Sequence, residues 1–258
     1  MLRSLVGSEM CIRDSLLPAP IFKMTADLQA RRRLGLTATL VREDGRESDV
    51  FSLIGPKRFD APWKDIEAQG YIAPASCYEV RVSLPDDVRM DYAIADQDAR
   101  FRIAATADAK MPIIKELLRK HKGEPTLIIG QYLDQIEEVS QGLGIPKLTG
   151  ETPVDEREQL FAKFRRGELS ALVVSKVANF SIDLPEASVA IQISGAFGSR
   201  QEEAQRLGRL LRPKADGRTA SFYTLVARDT VEQDFAQNRQ RFLAEQGYSY
   251  EILDADEI

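Results

Sequence analysis

Three short runs decide the fold class of this 258-residue chain: Thr126-Leu-Ile-Ile-Gly130, Ala171-Leu-Val-Val-Ser175 and Val189-Ala-Ile-Gln-Ile-Ser194. Each run has the length of a β-strand and is rich in β-branched residues. Two of them are apolar almost without interruption, which is typical of strands buried on both faces of a parallel sheet.

Helical patterns lie between and after these runs. One covers about 133–141, and another starts at Thr152, with Pro153 at the first helical position, and stops at Gly167. A further strand is predicted over 219–227 and a long helix over about 230–245, and the acidic tail LDADEI is expected to be loose. Strand–helix–strand alternation predicts an α/β fold with a parallel sheet and flanking helices.

Composition excludes several classes of protein. Hydrophobic residues make up 43% and charged residues 29% of the chain, as in ordinary folded domains and unlike disordered ones. No stretch approaches the roughly 20 apolar residues that span a bilayer, so we expect no membrane partner. Two cysteines and one histidine cannot build a zinc cluster or a disulfide framework, which favours a reducing, cytoplasmic setting. The net charge of −5 argues against general nucleic-acid coating but allows a local basic groove.

Several catalytic motifs are absent from the sequence. It contains no Gly-Lys pair and therefore no P-loop, no third glycine after Gly142-Leu-Gly144 for a dinucleotide fingerprint, and no Gly-x-Ser-x-Gly elbow. The acidic string Asp155-Glu-Arg-Glu158 falls in the first turn of a predicted helix, where it complements the helix dipole. We therefore predict no metal site within the chain.

The chain divides into four parts in this interpretation. Residues 1–15, MLRSLVGSEMCIRDS, look like a translated sequencing-adapter remnant, with a real, poorly ordered tail as the alternative. Residues 16–60 are too short for an α/β domain and look like the back end of one. The proline-rich stretch 61–75 is predicted to be a linker, and 76–258 a second domain.

The most specific local signal is Gln205-Arg-Leu-Gly-Arg-Leu-Leu-Arg212. On a helix Gln205, Arg209 and Arg212 line one face, while Leu207, Leu210 and Leu211 can dock on a sheet. A mid-helix Gly208 costs about 1 kcal/mol relative to Ala, so we expect a close neighbour there. Guanidinium forks on one stripe suit a triphosphate. The alternative is a surface helix with solvated arginines.

These residues carry a resemblance to superfamily 2 helicases. QRLGRLLRPK resembles their sixth motif, Leu34-Gly-Leu-Thr-Ala-Thr39 the third, and Ser175-Lys-Val-Ala-Asn-Phe-Ser-Ile-Asp183 the fifth. Leu148-Thr-Gly150, followed by Arg157, Phe161 and Phe164, resembles the stretch after the fourth motif. Arg42-Glu-Asp44 and Ser181-Ile-Asp-Leu-Pro-Glu186 are similar to the XPB (Rad25) branch. The motifs fall in the family's order from Leu16 to about Tyr250.

The resemblance implies a RecA-like sheet of the P-loop NTPase type, holding the second helicase domain and the tail end of the first. It implies an ATP-dependent 3′–5′ DNA helicase or translocase in DNA repair, with ATP and Mg²⁺ between the two domains. Arg209 and Arg212 would then be arginine fingers that also bind the nucleotide, and Gln205 would position them or the attacking water. Asp183 would contact the ribose or an arginine finger, and a simple turn is the alternative for it.

DNA contacts are implied at the carboxyl ends of strands, where open α/β sheets bind ligands. The residues concerned are Thr149, Gly150, Ser175, Lys176 and Asn179, whose backbone amides and short hydroxyls can hold phosphates without reading bases. A solvated side chain is the alternative for Lys176. A thumb-like insertion is expected at about 84–107.

Coupling and strand separation are implied in the first domain. Thr37 and Thr39 would couple ATP hydrolysis to binding of the DNA strand. The alternative is that their hydroxyls only cap the end of a β-strand. Arg42, Glu43 and Asp44 would help to separate strands, unless they form a plain surface turn. The expected partners are DNA without sequence preference, the first RecA-like domain, and a repair nuclease or repair complex.

The sequence departs from the family at one serious point, since the P-loop lysine and the Asp-Glu-x-His box are absent. We therefore expect the chain alone to be inactive, with the triphosphate cradle and metal ligands in a missing N-terminal part. Two alternatives stay open: a non-catalytic RecA-like module that binds DNA or a partner, and another superfamily 2 DNA translocase.

Overall fold

A computed structural model describes residues 51–52, 54–175, 187–195, 200–210, 217 and 219–258. The chain divides into two compact units, Met1–Ala61 and Pro62–Ile258. Nearly all described residues belong to the second unit, which holds every element below. None of the helices in the described ranges is long and apolar enough to cross a membrane.

The second unit is built on a seven-stranded parallel sheet. Its order is β3-β4-β2-β5-β6-β1-β7, and every neighbouring pair is parallel. The strands are β1 Ala75–Val82, β2 Thr126–Ile129, β3 Lys147–Leu148, β4 Ala171–Val174, β5 Val189–Gln192, β6 Ala220–Ala227 and β7 Tyr250–Asp254. The three apolar runs are β2, β4 and β5, side by side at the centre, so the predicted parallel α/β class is confirmed.

Helices connect and cover these strands. They are α1 Trp63–Ala68, α2 Asp86–Ile94, α3 Gln97–Ala105, α4 Lys110–Lys120, α5 Leu133–Leu143, α6 Val154–Arg165, α7 Arg200–Leu210 and α8 Val231–Glu245, followed by a 3-10 turn at Ala255–Glu257. The helices predicted from sequence correspond to α5, α6 and α8. Pro153 is the N-cap of α6 rather than its first residue, and Gly167 and Gly247 follow α6 and α8 with positive φ, as glycine after a helix end commonly does.

The two faces of the sheet differ in chemistry. On the first, which we call the apolar face, side chains of alternate strand residues pack against α4 and α5 in one cluster. Its members include Val80, Ile114, Leu117, Ile128, Ile136, Val139, Val173, Ile191, Tyr223 and Leu225. The opposite face, which we call the polar face, has a row of three polar residues in register: Gln192 beside Thr224 beside Glu79. All three are buried.

Two segments differ from the sequence-based expectation. The stretch 61–75, predicted to be a linker, contains α1, and Trp63 is buried there while its amide donates to Gln246 Oε1 at 3.2 Å. The prolines suggested a linker, but one large aromatic ring outweighs them because burying it is strongly favourable. The acidic tail LDADEI, expected to be loose, begins as the end of β7 and continues into the 3-10 turn. Strand β7 pairs with β1 from Cys77↔Tyr250 to Arg81↔Asp254.

The expected insertion at 84–107 holds the helical pair α2 and α3. Asp96 caps α3, and its carboxylate accepts the Ala99 amide at 2.8 Å. No residue of α2 is buried, whereas Phe101 and Ala104 of α3 are. The hydroxyl of Tyr92 accepts the amide of Val231, which ties α2 to the start of α8. Helix α3 therefore carries the buried side of the pair, and α2 lies on its exposed side.

Candidate functional site

The carboxyl ends of β3 and β4 bring two predicted DNA-contact residues together. Leu148 and Val174 are register partners, so Thr149 and Ser175 each follow the end of one of two neighbouring strands. The Ser175 amide donates to the Leu148 carbonyl oxygen at 2.9 Å. Ser175 is buried, and Gly150 beside Thr149 is exposed.

The turn after β3 uses its own polar groups. The Thr149 amide donates to Thr152 Oγ1 at 3.0 Å, and the Glu151 amide donates to Thr149 Oγ1 at 3.3 Å. The amides of Thr149 and Ser175 are therefore already bonded within the protein. Thr149 can therefore contact a phosphate through its hydroxyl proton but not through its amide. This limits the prediction that backbone amides and hydroxyls both hold phosphates at this site.

The neighbouring end of β2 carries polar residues that sequence reasoning missed. The Gln131 amide donates to Ser194 Oγ at 2.7 Å, which ties the ends of β2 and β5 together. Arg102 of α3 pairs with Asp134, and its guanidinium lies 5.6 Å from the centre of the Tyr132 ring. These residues could have been found from their position in the sequence, because Gln131 and Tyr132 directly follow a predicted buried strand, as Ser175 does.

Helix α7 carries the arginine motif. Ala204, Leu207 and Leu210 are fully buried, which confirms the docking predicted for the last two. Gln205 and Arg209 occupy helical positions opposite Leu207 by periodicity, although their side chains lie outside the description. A Cβ on the exposed Gly208 would lie 3.5 Å from the Trp63 ring, an ordinary contact distance. The expected closer neighbour of Gly208 is therefore not found among the described residues.

The buried side of α7 also carries charge. Glu203 and Arg206 are both almost completely buried. Arg206 NH1 donates to Gln192 Oε1, and the amide nitrogen of Gln192 donates to Glu203 Oε2 at 2.8 Å. The Tyr250 hydroxyl donates to the other carboxylate oxygen of Glu203 at 3.2 Å. Burial, and then the nearby Glu203 charge, hold the pKa of Tyr250 well above its usual range, so it keeps the proton that it donates.

Arg239 of α8 completes this polar layer. Its side chain is fully buried, with Nε 3.5 Å from Glu203 Oε2, and its guanidinium nitrogens have no hydrogen-bond partner among the described residues. A Cβ on Gly195 would lie 2.2 Å from the guanidinium carbon, so glycine leaves the space that Arg239 fills. Glu79, bonded to Arg81 and to Gln240 of α8, lies in the same layer.

A second buried ion pair lies at the carboxyl end of the sheet. Lys110 Nζ donates to both carboxylate oxygens of Glu232, at 3.0 and 2.9 Å, and to the carbonyl oxygens of Ala105 and Ile193 at 3.0 Å. Glu232 Oε2 also accepts the Ala227 amide at 2.8 Å. Burial lowers the pKa of Lys110, and the Glu232 charge opposes that shift. The pair joins α3, α4, α8 and the ends of β5 and β6.

Other predicted site residues lie outside the described residues. They are Thr37, Thr39, Arg42, Glu43, Asp44, Lys176, Asn179, Asp183 and Arg212. Within the described ranges, no group of three or more His, Cys, Asp or Glu side chains is placed to hold a metal ion.

The chain is similar to named proteins from several organisms. A protein of Kineococcus radiotolerans named DNA 3'-5' helicase XPB is 69% identical over 94% of this chain and 44% of its own length. The protein of the same name from Mycobacterium tuberculosis is 66% identical over the same shares. A Drosophila melanogaster protein named general transcription and DNA repair factor IIH helicase/translocase subunit XPB is 37% identical over 92% of this chain and 31% of its own. The chain thus spans less than half the length of these relatives.

Solved structures agree on the fold. Saccharomyces cerevisiae Dbp5 bound to RNA and ADP BeF3 aligns with a TM-score of 0.65 at 15% identity, over 95% of this chain and 58% of that one. The C-terminal domain of the DEAD-box protein Dbp5 aligns with a TM-score of 0.54 at 16% identity, over 71% and 92%. These likenesses support the predicted RecA-like class. The family model described as ERCC3/RAD25/XPB C-terminal helicase matches residues 66–257, so the chain belongs to this helicase family.

Proposed function

We propose that this chain is the C-terminal motor half of an ATP-dependent 3′–5′ DNA helicase or translocase that acts in DNA repair. The observation that carries the proposal is helix α7, whose buried side is fixed on the sheet while Gln205 and Arg209 occupy the opposite positions. The names of the relatives support the direction of movement and the DNA substrate.

In this proposal Arg209 and Arg212 are arginine fingers. Their guanidinium forks match phosphate oxygens and would stabilise charge on the transferring phosphoryl group, with Gln205 positioning them. Asp183 would contact the nucleotide. ATP with Mg²⁺ would be held by a first RecA-like domain, of which residues 16–60 are the tail end. The hydrolysis of ATP would supply the energy for movement.

DNA would lie along the carboxyl ends of β3 and β4. The hydroxyl of Thr149, the exposed Gly150 and the neighbouring Ser175, Lys176 and Asn179 would hold phosphates without reading bases. Thr37 and Thr39 would couple this grip to hydrolysis, and Arg42, Glu43 and Asp44 would separate strands. The name of the Drosophila melanogaster relative, a subunit of a transcription and repair factor, supports a larger repair complex as partner. We also propose a cytoplasmic location.

The proposal includes inactivity of the chain alone, because its 258 residues contain no P-loop. The test joins the N-terminal part of the Kineococcus radiotolerans relative to this chain at Leu16. We expect DNA-stimulated ATP hydrolysis by the chimera and none by the chain. Arg209→Ala in the chimera should lower kcat by about a thousandfold, whereas the matched control Arg166→Ala, on an exposed arginine paired with Glu168, should not.

DNA binding is tested on the chain itself. Fluorescence anisotropy with labelled single-stranded DNA should show binding that weakens with salt, and Lys176→Ala should reduce the logarithmic salt slope by about 0.7. Hydrolysis by the chain alone, or full activity of the Arg209→Ala chimera, would contradict the proposal. Binding without any activity of the chimera would favour a non-catalytic DNA-binding module.

A further inference from the structure

We propose that Tyr250, on the last strand of the sheet, is a positioning residue for the arginine-bearing helix α7 and acts through Glu203. The hydroxyl of Tyr250 donates to Glu203 Oε1, and the side-chain amide of Gln192 donates to Glu203 Oε2. Nothing in the helicase motifs assigns a role to the C-terminal strand. The functional meaning of the proposal rests on the proposed function of Arg209.

Glu203 needs these partners. Its side chain is completely buried, and an ionised carboxylate in that position is costly unless hydrogen bonds and counter-charges compensate it. Arg239 supplies charge, but at 3.5 Å its Nε makes no hydrogen bond with the carboxylate. Among the described residues, the hydrogen bonds to the Glu203 carboxylate come from Tyr250 and Gln192.

The two anchors lie far apart across the sheet. Gln192 is on β5 and Tyr250 on β7, with β6 and β1 between them, a span of about 14 Å at the usual strand spacing. Bonds that reach one carboxylate from both sides resist rotation and sliding of the helix. The apolar contacts of Ala204, Leu207 and Leu210 resist separation from the sheet but have little directional preference.

Position at Glu203 is transmitted to Arg209 through a continuous helix. The two residues are six positions apart in α7, which is about 9 Å along the helix axis. Catalysis of phosphoryl transfer depends on placement of charge, and a misplacement of about 1 Å can cost a hundredfold in rate. A fixed register of α7 on the sheet is therefore a condition for correctly placed arginines.

The experiment compares Tyr250→Phe with Tyr223→Phe in the full chain. Both changes remove one hydroxyl and keep the ring, and the Tyr223 hydroxyl contacts His121 Nε2 at 2.9 Å on the apolar face, away from α7. Hydrogen–deuterium exchange of the segment 200–210 is the main measurement. Thermal unfolding verifies that both variants fold.

We expect the α7 amides to exchange about tenfold faster in Tyr250→Phe, the change that corresponds to loss of one hydrogen bond to a charged group. Tyr223→Phe should leave their exchange unchanged. Equal exchange of α7 in the two variants would overturn the proposal.

A second measurement uses the chimera described above, in which Tyr250→Phe should lower kcat and leave the DNA concentration for half-maximal stimulation unchanged. An unchanged kcat in an active chimera would also overturn the proposal. If the unmodified chimera hydrolyses no ATP, the proposed function fails, and the exchange experiment still decides whether Tyr250 positions α7.

Discussion

The two faces of the sheet hold their helices by different means. On the apolar face, α4 and α5 contribute Ile114, Leu117, Ile136 and Val139 to one hydrocarbon cluster. On the polar face, α7 and α8 meet the sheet through Glu203, Arg206, Arg239 and Gln240. Hydrophobic contact stabilises without direction, whereas hydrogen bonds between buried charges specify position and bring a large desolvation cost. The helix that carries the arginine motif packs on the polar face.

The largest expected effect is on the polar face. Glu203→Gln keeps the shape of the side chain but leaves the buried Arg239 without the negative charge 3.5 Å from its Nε. We expect the free energy of unfolding to fall by about 4 kcal/mol. Urea denaturation followed by circular dichroism measures it, with Glu251→Gln on the exposed side of β7 as the control. A loss no larger than that of the control would show that the charge of Glu203 does not matter.

The corresponding substitution on the apolar face lowers stability by removing buried side-chain volume. Leu117→Ala removes a fully buried side chain of α4, and we expect a loss of about 3 kcal/mol because of the cavity that it leaves. The same denaturation experiment measures this loss. Exchange of the α7 amides should stay in proportion to the global loss of stability, since α7 lies on the other face. A selective increase in α7 exchange would mean that the two faces are not independent.

Alkaline pH sharpens the comparison, because it acts on Cys77, a buried residue on the polar side of β1. Burial, and then the Glu203 charge, raise the pKa of its thiol from 9.0 to about 12. Above pH 9 the unfolded chain loses this proton and the folded chain keeps it, so stability falls as pH rises. We expect a loss of about 1 kcal/mol between pH 9 and pH 10 in the wild type that is absent in Cys77→Ala. Parallel pH curves for the two proteins would contradict this assignment.

The smallest effect has the opposite sign. The Thr224 hydroxyl is buried in the polar row and has no hydrogen-bond partner within the described part of the chain. Thr224→Val replaces it with a methyl group of similar size, and we expect a gain of about 0.5 kcal/mol. Thermal unfolding measures the gain. Ser140→Ala, which removes a hydroxyl bonded to the Ile145 carbonyl oxygen at 2.6 Å, should instead be destabilising.

The sequence was sufficient for the apolar part of the fold. The runs that form β2, β4 and β5 could be identified as strands from their apolar residues, because strands inside a parallel sheet are buried on both faces. The helices α5, α6 and α8 follow from periodicity and from their end signals. Thr149 and Ser175 could be placed at one edge because carboxyl ends of parallel strands share that edge.

The polar part could not be predicted in the same way. Glu203, Arg239, Lys110 and Glu232 look like ordinary surface charges, and only the tertiary structure gives each a buried partner. The tail LDADEI looked loose because half of its residues are acidic. Its first two residues nevertheless complete the edge strand β7, whose position beside β1 allows Glu251 and Ile252 to stay exposed. The predicted roles of Arg209, Arg212 and Asp183 stay predictions.

The position of Trp63 makes its fluorescence an intrinsic probe of helix α7. It is the single tryptophan of the chain, it meets the Tyr248 ring edge-on at 6.3 Å, and its indole lies beside Gly208 in the middle of α7. Indole emission shifts when the ring's surroundings change. A spectrometer set to excite tryptophan would therefore follow movement of the arginine helix in real time, without any attached dye.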